Sequence, residues 1–265
     1  MFNIGNISIK TSYMEFKKQL IDNESLKTEL ELISVLYRKK NLNLAEKKIK
    51  KLIYKFPSIP ILYNLMGLIA SGKFNFNDSI NYYKKAIKLK PDYAEAYNNI
   101  GNCYNSLGSY IDAEFCFKKA IKLNNNLIES YNNLGNLYKS INKFKNSLTY
   151  FKKAIKINPN AFLIHNNLGL LYKSLGDINN ARKEFEKTLL INIKFSPAHR
   201  NLSQVTKYKI NNKHFIELKN IICNENLSNI DKREISFALG KAYEDIKDFD
   251  NAFKYYNMAN QIARK

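Results

Sequence analysis

The chain has no tryptophan, three cysteines, five prolines and nine glycines. Three thiols cannot build a disulfide framework, so a reducing compartment is the default expectation. So few glycines and prolines exclude collagen-like and low-complexity architectures. No run of about 18 apolar residues occurs, so no membrane-spanning helix is expected. The opening stretch MFNIGNISIKTSYMEFKK lacks a basic start followed by an apolar core. No secretory signal is therefore expected, and the cytoplasm is the simplest location. Sequence motifs of catalysis are also missing. There is no glycine-rich phosphate loop ending in Lys-Ser/Thr, no GxGxxG, no HExxH and no CxxC. The three histidines, His165, His199 and His214, are scattered and suggest no third metal ligand. The expectation is a chain that is not itself an enzyme and that holds no cofactor or metal.

What the chain does have is lysine and asparagine. Its 265 residues include 43 Lys+Arg against 23 Asp+Glu, a formal charge of +20. Such a balance raises nucleic acid or an anionic membrane surface as partners. A second explanation stands beside it: lysine, asparagine and isoleucine are the residues of A/T-rich codons. The 45% hydrophobic content, with 18 tyrosines and 16 phenylalanines, excludes a disordered chain despite the charge.

Self-comparison organises these residues. AYNNIGNCYNSLG from Ala96, SYNNLGNLYKSIN from Ser130 and IHNNLGLLYKSLG from Ile164 recur every 34 residues. YYKKAIKLKP from Tyr82, CFKKAIKLNN from Cys116 and YFKKAIKINP from Tyr150 keep the same period. Within a copy, Tyr97, Ile100, Gly101 and Tyr104 fall at i, i+3, i+4 and i+7, one stripe of a helix. Ala113, Phe117 and Ala120 make the stripe of a second helix. Short turns marked by Gly or Asn lie between them, and Pro91 and Pro159 stop the second helix. Each copy is therefore an antiparallel helix pair. Gly101 and Ala113 allow close approach, and Tyr97, Tyr104 and Phe117 fill the surrounding space. Cys103 and Cys116 fall on apolar faces and are expected to be buried thiols.

This pattern of aromatic, Leu-Gly, Tyr, Ala, aromatic, Ala and Pro resembles the tetratricopeptide repeat family. The resemblance implies an all-α, right-handed solenoid. Repeats are read at 26–59, 60–93, 94–127, 128–161 and 162–195, with a partial one at 196–203. The first keeps only Ala45, Ile49, Leu52 and Pro57. An N-terminal extension, 1–25, precedes the array. Residues 204–232 are out of period and read as an irregular joint, in which Phe215, Leu218, Ile221 and Ile222 make a short amphipathic helix. A further repeat-like unit covers 233–265, with Ser228 and Asp231 resembling a capping box before it.

Stacked pairs place first helices on a concave face and second helices on a convex one. Asn99, Asn133, Asn167 and Asn201 recur immediately before the Leu/Ile-Gly/Ser pair, with Asn98, Asn132 and Asn166 beside them. Asn102 and Asn136 widen the polar lining. Arrays of the O-linked N-acetylglucosamine transferases carry asparagine at the first of these positions, where it holds the backbone of an extended peptide. The resemblance implies the same role here, and a carboxamide suits it by offering both donor and acceptor. Codon composition and repeat duplication stand as the alternative. Lys84, Lys118 and Lys152, then Lys85, Lys119 and Lys153, then Lys88, Lys122 and Lys156 stack on the second helices. They form either a phosphate-tracking stripe or a solvated face. The repeat aromatics point into the core, so nucleic acid is disfavoured. His165 and His199 share the aromatic position one period apart and are expected to stack.

The stretch from His199 through FALGKAYEDIKDFDNAF is similar to the junction of bacterial tetratricopeptide–sulfotransferase proteins. There a repeat array leads into a domain whose Arg-Ser-Gly-Thr-Thr loop grips a sulfate-donor cofactor. This sequence has no such loop, and no catalytic residue carries over. The expected partner is a protein or an extended peptide, with a transferase domain as a further partner. Two readings stand: a non-catalytic binding scaffold, or the accessory region of a transferase. No capping face is evident on the last repeat, so association with another chain or domain is expected.

Overall fold

The computed structural model describes residues 24–264. The elements among them are fourteen α-helices. The first seven are α1 Glu24–Arg38, α2 Leu42–Lys55, α3 Pro60–Gly72, α4 Phe76–Leu89, α5 Ala94–Ser106, α6 Tyr110–Leu123 and α7 Ile128–Ser140. The others are α8 Phe144–Ile157, α9 Phe162–Ser174, α10 Ile178–Ile191, α11 Ser196–Ser203, α12 Lys213–Ile222, α13 Asn229–Asp245 and α14 Phe249–Arg264. Of the expected extension 1–25, all but the last two residues lie outside the described residues. The chain divides into two compact bodies. The N-terminal body ends at Ile141, and the C-terminal body begins at Asn142, in the turn of the repeat 128–161.

Each helix pair turns on a residue with left-handed backbone. Lys40 (φ 58°), Phe74 (64°), Gly108 (78°), Asn142 (59°) and Gly176 (75°) hold that conformation. They are spaced 34 residues apart. A left-handed residue just past a helix closes its last carbonyls and reverses the chain. Gly and Asn do this readily; Lys40 and Phe74 do it against a cost of about 1–2 kcal/mol. The first repeat, weak in sequence, thus keeps the turn. It also keeps the core: Leu26, Leu30, Ile33 and Leu36 of α1 are buried with Ala45, Ile49 and Leu52 of α2.

In four of the helix pairs a glycine on the first helix seats an aromatic ring of the second. A β-carbon on Gly101 would lie 2.6 Å from Phe117 Cε1, and one on Gly67 2.5 Å from Tyr83 Cε1. On Gly169 it would lie 2.6 Å from Phe185 Cε1, and on Gly240 2.6 Å from Tyr256 Cδ1. No side chain fits in those gaps. The nearest approach at Gly101 is therefore to the Phe117 ring, and Ala113 is fully buried. Second helices pack back onto the next first helix, α4 on α5 and α6 on α7 in the N-terminal body. Cys103 and Cys116 are buried, as their spacing predicts.

The C-terminal body breaks this order at Ser203. It stands in the glycine position, its hydroxyl donates to the Arg200 carbonyl at 2.7 Å, and α11 ends there. Sixteen residues on, where a ring belongs, stands Lys219. With no ring to seat, α12 packs on α13 instead. Phe215 and Leu218 join Tyr208, Ile235, Leu239 and Ala242 in one core, with Ile221 and Ile222 partly buried against it. The amphipathic helix expected in the joint is therefore present. α13 packs beside α11. Ser196 Oγ donates to Asp231 Oδ1 at 2.6 Å, and Arg200 Nη1 to Glu234 Oε2 at 3.1 Å. These contacts span 35 and 34 residues, so the period of the first helices passes through the joint. Gly240 falls three residues beyond the position the period sets, close to one helical turn, which preserves the face. The capping box also forms: Asp231 N–H donates to Ser228 Oγ at 3.1 Å, so α13 starts at Asn229, before Arg233.

Candidate functional site

The asparagine ladder lies on the first helices, where adjacent repeats meet. Asn99 Nδ2 donates to Asn64 Oδ1 at 3.1 Å, and Asn133 Nδ2 to Asn98 Oδ1 at 3.0 Å. In the C-terminal body Asn201 Nδ2 donates to Asn166 Oδ1 at 2.9 Å. In these three pairs the second Asn of a repeat donates to the first Asn of the repeat before it. Asn98 Oδ1 also accepts from Ser130 Oγ at 3.0 Å, so both its lone pairs are used. Asn98, Asn99, Asn133 and Asn166 are buried, whereas Asn132, Asn167 and Asn201 are half-buried. Asn102 and Asn136, about one helical turn further, are also half-buried. Asn64 belongs to this set and is missing from the sequence-derived ladder. Its signal was its place one period before Asn98, in an otherwise apolar helix.

The two faces of the N-terminal body differ in charge. Its first helices α3, α5 and α7 carry only Glu95, Glu129 and Lys139 as charged residues. Burial pushes the Lys139 ammonium below the usual lysine range. Its second helices carry the lysine rows. Lys84, Lys88, Lys118 and Lys122 are exposed, and Lys119 is half-buried with its ammonium 6.0 Å from the Tyr97 ring centre. Lys118 pairs with Glu114 at 2.5 Å, and that carboxylate also accepts from the Tyr138 hydroxyl at 2.8 Å.

The histidines do not form the expected stack. His165 has Nε2 2.9 Å from the Pro159 carbonyl and Nδ1 2.6 Å from Glu184. His199 stacks instead on His214 of the joint, with ring centres 5.2 Å apart and planes 3° apart. His199 Nε2 lies 2.8 Å from the Ile193 carbonyl, His199 Nδ1 2.9 Å from His214 Nε2, and His214 Nδ1 2.7 Å from the Tyr208 hydroxyl. One proton arrangement satisfies all three contacts. Nε2–H of His199 donates to the carbonyl, Nε2–H of His214 donates to His199, and Tyr208 donates to His214. Both rings are neutral in it. Burial, and then the neighbouring His199, push His214 down to about 3; burial also lowers His199. The pairing was not legible because His214 lies in the out-of-period stretch. Among the described residues no three His, Cys, Asp or Glu side chains converge as a metal site.

Where α12 stands away from α11, a cavity of about 830 Å³ opens, lined by Arg182, Leu189, Leu202, Thr206, His214 and Glu217. Its walls are tied down: Arg182 donates to the Val205 carbonyl at 2.7 Å. On the first-helix side of this body, burial opposes the Asp245 carboxylate. Lys207 at 2.8 Å, Lys241 at 2.5 Å and the Tyr208 N–H at 3.1 Å nevertheless hold its pKa below the usual range. Arg200 lies 4.2 Å from the Phe237 ring centre, and Lys173 donates to Gln204.

Known proteins share the repeats and the fold. A model described as "Tetratricopeptide repeat" matches residues 94–127. One described as "TPR repeat" matches 75–108 and 135–176, and another "Tetratricopeptide repeat" matches 163–192 and 234–265. Together these cover more than half of the chain. No curated protein sequence matches. Among solved structures, TTC0263, a thermophilic TPR protein of Thermus thermophilus, is 17% identical with a TM-score of 0.61. The match covers 68% of this chain and 97% of that one. MamA (41-end) of Desulfovibrio magneticus is also 17% identical, with a TM-score of 0.52, covering 65% and 97% of the two chains. These likenesses extend to the fold. They give no support to the narrower resemblance to transferase-associated arrays.

Proposed function

We propose that this chain, which belongs to the tetratricopeptide repeat family, is a non-catalytic scaffold that holds an extended peptide or a protein segment against its first helices. What supports the reading is the amide-rich, nearly uncharged make-up of the first helices α3, α5 and α7 of the N-terminal body. Its carboxamides divide into two sets. Asn98, Asn99 and Asn133, buried and mutually bonded, fix the spacing of the helices. Asn102 and Asn136 are half-buried and supply paired donors and acceptors to a peptide backbone. In the C-terminal body Asn201 and Asn166 are bonded to each other, so they belong to the structural set, and Asn167 is half-buried. Carboxamides read backbone rather than side chains, so the scaffold tolerates varied sequence. The accessory-region reading rests only on the sequence likeness from His199 onward.

The test separates the two sets. A library of extended peptides is screened for binding, and the best binder is titrated against the double variant Asn102→Ala/Asn136→Ala. The expected result is a loss of affinity of at least about tenfold with unchanged melting temperature, which is the loss of roughly one well-made hydrogen bond. Unchanged affinity would remove these side chains from the site.

A further inference from the structure

The second helices of the N-terminal body present a surface that the peptide reading does not use. On α2, α4 and α6 the residues opposite the buried stripe fall into register. One row holds Lys50, Lys84 and Lys118, and the next Lys51, Lys85 and Lys119; all are exposed except the half-buried Lys119. A third holds Tyr54, Lys88 and Lys122, with Tyr54 92% exposed. On α6 the same stripe continues as Ile111 and Phe115, which are 86% and 65% exposed. Isoleucine and phenylalanine therefore stand in water on the same helix face as Lys118 and Lys122. At one edge of this field a recess of about 490 Å³ lies between α1 and α2. Its lining includes the apolar Leu26, Leu44, Leu52 and Phe56 beside Lys47, Lys51 and Lys55.

We infer that this second-helix face docks on the surface of an anionic phospholipid bilayer. The lysines supply attraction to the headgroups, and Ile111, Phe115 and Tyr54 enter the interfacial layer beside them. Three observations select this partner. Lysines close to a membrane act as point charges that need no fixed geometry, each contributing additively. Exposed aliphatic and aromatic side chains flanking such a field gain from burial at the acyl boundary. The field also contains no arginine, the residue whose planar fork reads nucleic-acid phosphates and bases bidentately. One carboxylate, Glu29, also lines the recess and is paired with Lys48 at 3.1 Å, so Lys47, Lys51 and Lys55 leave the lining basic for a headgroup beside apolar side chains for its adjoining chain. No described helix is long and apolar enough to cross a membrane, so the contact is peripheral. Because it uses the second helices, it stands or falls separately from peptide capture by the first.

The test uses the full chain and vesicles of pure phosphatidylcholine, or of equal parts phosphatidylcholine and phosphatidylserine. With no native tryptophan present, Phe115→Trp gives a single reporter. Its emission is expected to shift to the blue with phosphatidylserine vesicles at physiological salt, to stay unchanged with pure phosphatidylcholine, and to revert at high salt. In co-sedimentation, Lys84→Glu/Lys88→Glu/Lys118→Glu/Lys122→Glu is expected to lose binding by at least about fivefold per lysine. Ile111→Asp/Phe115→Asp weakens it about tenfold or more, by removing insertion and adding like charge. All six positions are at the surface, and circular dichroism confirms folding. An unshifted reporter, equal binding to both vesicles, or an unaffected quadruple variant overturns the inference. Tighter binding to poly-uridine RNA than to the anionic vesicles at the same salt overturns it as well.

Discussion

The pair α5–α6 and the stretch α11–α12 have the same place in the 34-residue register but different outcomes. In the first, Gly101 leaves a gap that only the Phe117 ring fills, and the second helix is locked onto the first. In the second, Ser203 and Lys219 replace the glycine and the ring. The second helix then leaves its partner and packs on α13. A helix pair is held less by helix propensity, which both stretches have, than by one matched small-to-large contact. The stack of first helices survives the change, because α11 and α13 stay joined by Ser196–Asp231 and Arg200–Glu234.

The largest way to break the comparison is to remove the ring. Phe117→Ala is expected to cost about 3–5 kcal/mol, since the side chain is fully buried against a glycine with no room to relax inward. Lys219→Ala, at the same register position in the joint, loses only an ammonium 4.9 Å from the Phe215 ring centre and is expected to cost about 1 kcal/mol or less. Urea unfolding of both variants measures the difference; similar losses would refute the role of the seat.

Next comes the amide pairing. Asn98→Ala leaves Ser130 Oγ and Asn133 Nδ2 without their shared acceptor in a buried site, at a cost of about 1–3 kcal/mol. Asn136→Ala, half-buried on the same face, should leave the melting temperature nearly unchanged. If the two variants melt alike, the division into structural and binding asparagines is wrong.

The joint differs from the regular repeats in its response to pH. His214 and His199 are held neutral in the fold, so their folded pKa values lie below the ordinary value of 6.5. The unfolded chain therefore binds protons that the folded chain refuses. This contribution is fully present above about pH 6.5 and is lost as pH falls toward about 3, where His214 titrates. The slope is about 1.4 kcal/mol per pH unit for one such group. Melting curves between pH 7 and 5 should show the loss, and His214→Gln should flatten it. An equal slope in that variant would assign the pH dependence elsewhere.

The smallest effect concerns the turns. Lys40→Gly and Lys247→Gly are expected to add about 0.5–1 kcal/mol each, by relieving left-handed strain at φ 58° and 66°. Gly108→Ala, with φ 78° and open space around it, should cost a similar amount. Thermal melts read all three; a destabilised Lys40→Gly would mean that the lysine side chain matters more than its backbone.

Much of the fold was legible because it repeats. Periodic spacing identified the helix pairs and the buried Cys103 and Cys116, and the local Ser-x-x-Asp pattern identified the capping box at Ser228. The amphipathic pattern of Phe215 and Leu218 announced α12. Other features were hidden for physical reasons. Lys40 and Phe74 do not announce a left-handed turn, since their side chains disfavour it. His214 carries no periodic signal, and its pairing with His199 depends on where α12 packs. A three-residue slip before Gly240 looks like lost register, yet it is one helical turn.

The sequence by itself determined the helix pairs and their buried faces, because helical period and residue size act locally and recur every 34 residues. It also separated lysine-rich second helices from amide-rich first helices. Only the tertiary structure decided which asparagines are bonded to one another and which remain open. Repetition gives every copy the same letters. A carboxamide's use, however, depends on whether another amide stands within about 3 Å, and that distance is set by how neighbouring helices pack.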